Sequence, residues 1–262
     1  KILPEEALKP VVTDERMGLL DKTLVHPTGL PLERGVARMR FRITGLPPEI
    51  ALPLDANQRE DGEGGYIIES PSLDATPGGE LPVVERAAAL SSDPLVNAAD
   101  PAIRAAAVEA TANANSDSEK ARALYEWLFD NIRKVPTLSL PAALDVLRTR
   151  EGDCNEHTIL YAAMARSLGL PCRIAIGLVY SEVLGGFGYH AWPEVWLGHW
   201  VPIDPTLGQP VCDATHIKLL NGGLDQWARL VGFIGRIQVE VLETSGRVDT
   251  ESEVVVEGEM VQ

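Results

Sequence analysis

The sequence predicts an α+β domain in which one buried helix packs on an antiparallel sheet, preceded by a small β-rich region. Three observations carry this expectation. Beyond Thr158 the run to Leu168 is apolar almost all round, as a helix enclosed by other elements requires. Cys172 to Val183, Tyr189 to Leu197 and Trp200 to Asp204 have the β-branched and aromatic content of strands, the last two joined by a Gly198-His199 turn. Lys1 to Pro82 is rich in Pro and Gly instead, with short strand-like runs at Ala37 to Ile43 and Tyr66 to Glu69.

Taken in order, the chain divides into an accessory β-rich region and linker over 1–82, a main domain over 83–243 and an acidic tail over 244–262. Asp55 to Gly65 reads as a turn-rich polar insert, and Asp74 to Gly79 as the linker. A helix follows from Pro101 to Asn113, with Asp100 as N-cap and Pro101 at its first position. Ser116 to Arg133 makes a second, opened by a Ser116/Glu119 capping box, with Trp127, Leu128 and Ile132 on its apolar stripe. Pro141 to Thr149 makes a third and delivers the chain to Glu151-Gly152-Asp153. The central helix runs from Cys154 to Leu168 and is stopped by Gly169 and Pro171. Pro193 inside the second strand implies an edge or a bulge near His190. Gly222-Gly223 introduces a short helical piece, Leu224 to Phe233, and Arg236 to Glu243 returns as a strand. The tail has little core-forming pattern and reads as frayed.

Composition narrows the function classes. With 38 acidic against 23 basic residues the formal net charge is −15, so a phosphate backbone is repelled and nucleic acid is excluded as an expected partner. No run approaches the ~18–20 apolar residues of a membrane span, so no direct membrane insertion by this chain is expected. The start, Lys1 to Glu6, has no secretory h-region, which leaves open a signal removed upstream. Cys154, Cys172 and Cys212 are too few for a disulfide framework.

The chemistry centres on Cys154. A helix N-terminus favours negative charge, and a thiol there can fall from about 8.5 to about 3.5–7.5. A cysteine nucleophile also needs a base and a third group that sets the base's tautomer. His190 shares one strand face with Trp192, Glu194 and Trp196, while Asp204 shares a face of the next strand with Trp200 and Pro202. Adjacent strands could bring that imidazole and that carboxylate together.

Gly152-Asp153-Cys154, Gly188-Tyr189-His190-Ala191-Trp192 and Val201-Pro202-Ile203-Asp204-Pro205-Thr206 together resemble the transglutaminase-like core of papain-like thiol enzymes. The flanking phrases Cys154 to Thr158 and Asp213-Ala214-Thr215-His216-Ile217 are similar to the bacterial branch. The resemblance implies Cys154 as nucleophile, His190 as general acid/base, Asp204 as its orienting carboxylate, and acyl transfer on a protein or peptide amide through a thioester. It also implies an extracytoplasmic location, periplasmic or secreted. No metal or organic cofactor is needed for that chemistry. Some members use an aromatic or amide side chain upstream of the cysteine at the oxyanion, and Arg148 to Asp153 offers no Trp or Gln.

Other residues compete for roles. His157, three residues after Cys154, either lines the cleft or packs behind the nucleophile. Trp192 reads as cleft wall and Trp196 as core. Glu156 and Glu194 form either a structural network, the favoured reading, or a pair that reads substrate. Two alternatives to an enzyme stay open. One is a catalytically silent binding or scaffold module on the same fold. The other is a Cys2His2 zinc site from Cys154, His157, Cys212 and His216, in which Cys154 would be a ligand.

Overall fold

The computed structural model describes residues 24–73, 79–135, 142–223, 226 and 235–248. The expected linker apart from Gly79, the piece Leu224 to Phe233 apart from Gln226, and the tail beyond 248 lie outside them.

Two sheets organise the molecule. The first contains β7 (Cys172–Ser181), β8 (Gly186–Trp196), β9 (Trp200–Pro202) and β10 (Ile217–Asn221) in the order β10-β7-β8-β9, every neighbour antiparallel. The second contains β1 (Thr28–Gly29), β2 (Val36–Thr44), β3 (Gln58–Glu60), β4 (Tyr66–Glu69) and β11 (Gln238–Arg247) in the order β1-β11-β2-β4-β3. A short parallel pair, β5 (Arg133–Lys134) with β6 (Glu151–Gly152), lies beside the central helix.

Helices α1 (Val83–Ala89), α2 (Pro101–Ala110), α3 (Asp117–Asn131), α4 (Ala143–Thr149) and α5 (Cys154–Ser167) complete the described elements. Their ends follow local chemistry. Asp100 caps α2 by accepting from Ala102 N at 2.8 Å, and Ser116 and Glu119 close the capping box of α3. Residues Glu156 to Ala165 of α5 are all buried, and Thr158 Oγ1 donates to Ala191 O of β8 at 3.0 Å. That face of β8 carries Ala191 and Val195, which are buried in the main core with Ile159, Leu160 and Met164.

Several expectations change. Gln58 to Glu60, inside the supposed turn-rich insert, is a strand. It has no apolar pattern because Gln58 is fixed by polar bonds: its Nε2 donates to Lys218 O at 2.9 Å and its Oε1 accepts Lys218 N at 2.9 Å. Ile217 to Asn221 is an edge strand that the residue pattern does not foresee. Pro193 makes no bulge, since β7 and β8 stay in unbroken register from Cys172↔Val195 to Ser181↔Gly186. Its carbonyl accepts from Ile203 N at 2.9 Å, so its missing donor faces the side where β9 has ended. The division at 243 also falls within a strand, because β11 continues to Arg247 and pairs along β2. The chain therefore returns to complete the N-terminal sheet.

The two sheets share buried charge. Lys218 Nζ, its side chain 3% exposed, lies 2.5 Å from Asp55 Oδ2 and 2.8 Å from Glu194 Oε1. Arg173 reaches Asp55 at 2.6 Å and Glu194 at 2.5 Å, and its guanidinium lies over the Trp200 ring at 4.2 Å. Breaking such a group leaves a buried cation short of a partner. Glu194→Ala is therefore expected to lower the unfolding free energy by about 3–5 kcal/mol in urea titrations. A loss within about 0.5 kcal/mol, the range of ordinary surface changes, would show that the charges find other partners.

Candidate active site

Cys154 is the first residue of α5, part-exposed, behind an N-cap that is doubly built. Asp153 Oδ1 accepts from Asn155 N at 2.9 Å, and Glu156 Oε2 accepts from Asp153 N at 2.9 Å. The cap also explains Gly152: a Cβ there would come within 2.0 Å of Glu156 Cβ, where that side chain turns back. Val135 N donates to Gly152 O at 3.0 Å beside the β5–β6 pair, which fixes the approach to the thiol. The peptide dipoles of α5 thus point at a sulfur whose position is held from both sides.

His190 lies on β8, buried, with Nε2 donating to Asp204 Oδ2 at 2.8 Å. That leaves Nδ1 for the Cys154 thiol, with which the ring shares a hydrogen bond. Burial opposes charging of this imidazole, but the Asp204 charge and hydrogen bond, then the contact with Cys154, outweigh it and raise it to about 9. Asp204 has no solvent exposure. Burial favours its neutral acid, yet the His190 charge and hydrogen bond and the bond from His216 hold it well below the usual carboxylate range. Its second oxygen, Oδ1, accepts from Thr206 N and Leu207 N, both at 2.9 Å. The turn after β9 therefore aims the carboxylate.

The remaining expected residues lie around this centre in different ways. His157 is fully buried, and Nδ1 donates to Asp153 O at 2.7 Å, so it packs behind the helix start; burial pushes its pKa down. Glu156 belongs to the helix cap and is 2% exposed, which places it in structure rather than facing substrate. Glu194 likewise belongs to the buried charge group with Lys218 and Arg173. Trp192 is not an exposed cleft wall: it is 1% exposed, stacked on His190 with ring centroids 6.1 Å apart. Trp196 packs with Trp200, Leu81 and Ala89 in a small cluster apart from the main core.

The Cys2His2 zinc set does not assemble. Cys212 is buried with Ala175 and Trp192 under the sheet, where burial pushes its thiol well above the usual range. Among the described residues the one group with metal-like spacing is His190, Asp204 and His216, whose ligand atoms lie within 4.8 Å of one another. Those atoms are already hydrogen-bonded together, since His216 Nε2 also meets Asp204 Oδ2 at 3.1 Å. The place of His216 beside Asp204 is not foreseen by the Asp213 to Ile217 phrase. The signal available was the Asp213/His216 spacing of three.

A proton held to about 9 in the fold but released near 6.5 in the unfolded chain stabilises the fold fully below pH 6.5 and ceases to do so as pH rises through 9. Urea stability should accordingly decline between those values, and His190→Gln should remove part of that decline. Identical slopes in the two proteins would show that His190 does not hold its proton in the fold.

Residues 104–205, which contain Cys154, His190 and Asp204, match the family model for the transglutaminase-like superfamily. Kyphoscoliosis peptidase of Mus musculus is 32% identical over 127 residues, covering 40% of this chain, and the Homo sapiens protein is 30% identical over the same length. The matched region spans 18% of the length of those curated relatives. A solved structure from Cytophaga hutchinsonii superposes with a TM-score of 0.47 at 16% identity, over 84% of this chain and 88% of that one. The periplasmic domain of TgpA from Pseudomonas aeruginosa gives 0.42 at 17% identity, over 71% and 83%. The mixed helix-and-sheet chain thus carries, over residues 104–205 and around the central helix that begins at Cys154, a stretch that matches the transglutaminase-like superfamily.

Proposed function

We propose that the chain is a cysteine-nucleophile hydrolase or acyltransferase acting on amide or peptide bonds, with Cys154, His190 and Asp204 as its triad. One observation carries the reading: the His190 imidazole sits between a thiol at a helix N-terminus and a fully buried carboxylate. In this reading His190 holds the thiol proton and Cys154 exists as thiolate beside an imidazolium. The thiolate attacks the amide carbonyl. The oxyanion forms near the backbone N–H of Cys154, at the N-terminal end of α5. His190 then passes its proton to the departing amine as the C–N bond breaks, leaving a thioester on Cys154. Water, or a second amine, gives a proton back to His190 while attacking the thioester; the acyl C–S bond breaks, the acid or new amide leaves, and the thiolate–imidazolium pair is restored. Asp204 keeps Nε2–H donating and stabilises the charged ring. A protein or peptide substrate and an extracytoplasmic location, periplasmic or secreted, are part of the same proposal and rest on the family resemblance.

The test needs no known substrate. Iodoacetamide labelling, mapped by peptide mass, should modify Cys154 selectively and well below the ordinary thiol value of about 8.5. Cys172 and Cys212 serve as internal controls, since burial raises both thiols, that of Cys172 to about 12. Selectivity should vanish in His190→Ala. Ordinary titration of Cys154 would favour a silent binding module instead. With labelling established, release of peptides from unfolded casein against incorporation of dansylcadaverine separates water from amine as acceptor.

Asp204→Asn should lower turnover by up to about 10⁴-fold through a mis-set tautomer of His190. Full activity in that variant would remove Asp204 from the mechanism.

A further inference from the structure

We propose that His216 is a positioning residue, an imidazolium wedged between Asp204 and Asp213 that holds Asp204 for His190 and ties the N-terminal sheet to the acid–base group. The proposal deepens the thiol-enzyme reading and rests on it.

The His216 ring meets oxygen acceptors on both of its nitrogens. Nε2 faces Asp204 Oδ2 at 3.1 Å. Nδ1 faces the Asp213 carbonyl oxygen at 3.2 Å and Asp213 Oδ1 at 3.3 Å. Every one of these partners can only accept. A neutral imidazole carries one N–H and one lone pair, so either tautomer would press a lone pair against an oxygen in a site that is 4% exposed. Only the doubly protonated ring satisfies both sides. The other groups facing it fit that charge: Trp192 meets it edge-on at 5.2 Å and Cys212 is a neutral buried thiol. Lys218 and Glu194, which line the same small cavity, are paired with each other, and His190 stands 6.0 Å away between centroids.

Asp213 cannot turn away from this task. Its Oδ2 accepts from Arg34 Nε at 2.9 Å, Gly35 N at 2.9 Å and Gln209 Nε2 at 2.7 Å, while Oδ1 accepts from Thr215 N at 3.0 Å. Arg34 and Gly35 immediately precede β2. Charge therefore alternates along Arg34, Asp213, His216, Asp204 and His190, from the N-terminal sheet to the thiol. Two consequences follow for His190. Its carboxylate partner is held on the shared oxygen by a second donor, and the His216 charge moderates the negative field that His190 feels.

Side-chain ¹⁵N NMR of histidine-labelled protein, titrated from about pH 5 to about pH 11, tests this. Wild-type His216 should keep both ring N–H groups through pH 8. In His216→Phe the His190 midpoint should rise by about one to two units, the effect of losing a unit charge roughly 6 Å away at an effective dielectric near 20. Alkylation of Cys154 at pH 6.5 should fall, because Asp204, short of one donor, no longer holds the His190 ring in place against the thiol. His216→Gln, which can still donate once to Asp204, should recover part of that rate while leaving the His190 midpoint raised. A merely space-filling role would change melting temperature without moving the His190 midpoint. A neutral His216 in wild type at pH 7, or an unmoved His190 midpoint in folded His216→Phe, overturns the proposal. Ordinary alkylation of wild-type Cys154 would overturn the thiol-enzyme reading, a separate failure because the NMR observation requires no reactive thiol.

Discussion

The arrangement depends on keeping one fully buried carboxylate ionised. Removing a carboxylate from water is costly enough that an isolated one would simply take up a proton. Asp204 avoids this by accepting four hydrogen bonds: two backbone N–H groups on Oδ1, and His190 and His216 on Oδ2. Each of those donors is itself placed by a different part of the chain. The turn after β9 supplies the backbone pair, β8 supplies His190, and the segment entering β10 supplies His216. The carboxylate is thus a point on which separate elements must agree.

The same principle explains why the N-terminal region is not a detachable appendage. Arg34 and Gly35 hold Asp213, Ser70 Oγ donates to Cys212 O at 2.7 Å, and Asp55 shares Lys218 and Arg173 with Glu194. These bonds cross between the two sheets where apolar packing alone would allow sliding. The closing strand β11 then returns to β2, so the chain on both sides of the central domain contributes to one sheet. Polar groups at this junction fix the position of the sheets as well as joining them.

Much of the local structure was legible because it depends on neighbours in sequence. Asp100, Ser116 and Glu119 act within three residues of themselves, and their helices begin where those residues predict. The apolar run after Cys154 required a buried helix, and the Gly198-His199 turn required a strand on each side. Misreadings fell where long-range bonds override pattern. Gln58 looks like loop sequence and is strand because Lys218, 160 residues away, pairs with its amide. Trp192 reads as a cleft residue by its type, yet it is covered from both sides by His190, His216 and Cys212.

Legible from the residues alone were the main helices, the β7–β8–β9 strands, the cysteine at a helix start, and the motifs that carry His190 and Asp204. Those follow from periodicity, capping chemistry and family-like phrases, all of them short-range in the chain. The folded arrangement was needed to show that Cys212 is sealed away from Cys154, that Glu194 is tied to Lys218 and Arg173, and that His216 shares the Asp204 oxygen with His190. Such assignments turn on which acceptors meet which donors once water is excluded, and a linear pattern holds no record of that pairing. The physical reason is the cost of an unmet charge in the interior, which is felt only after the two sheets have come together.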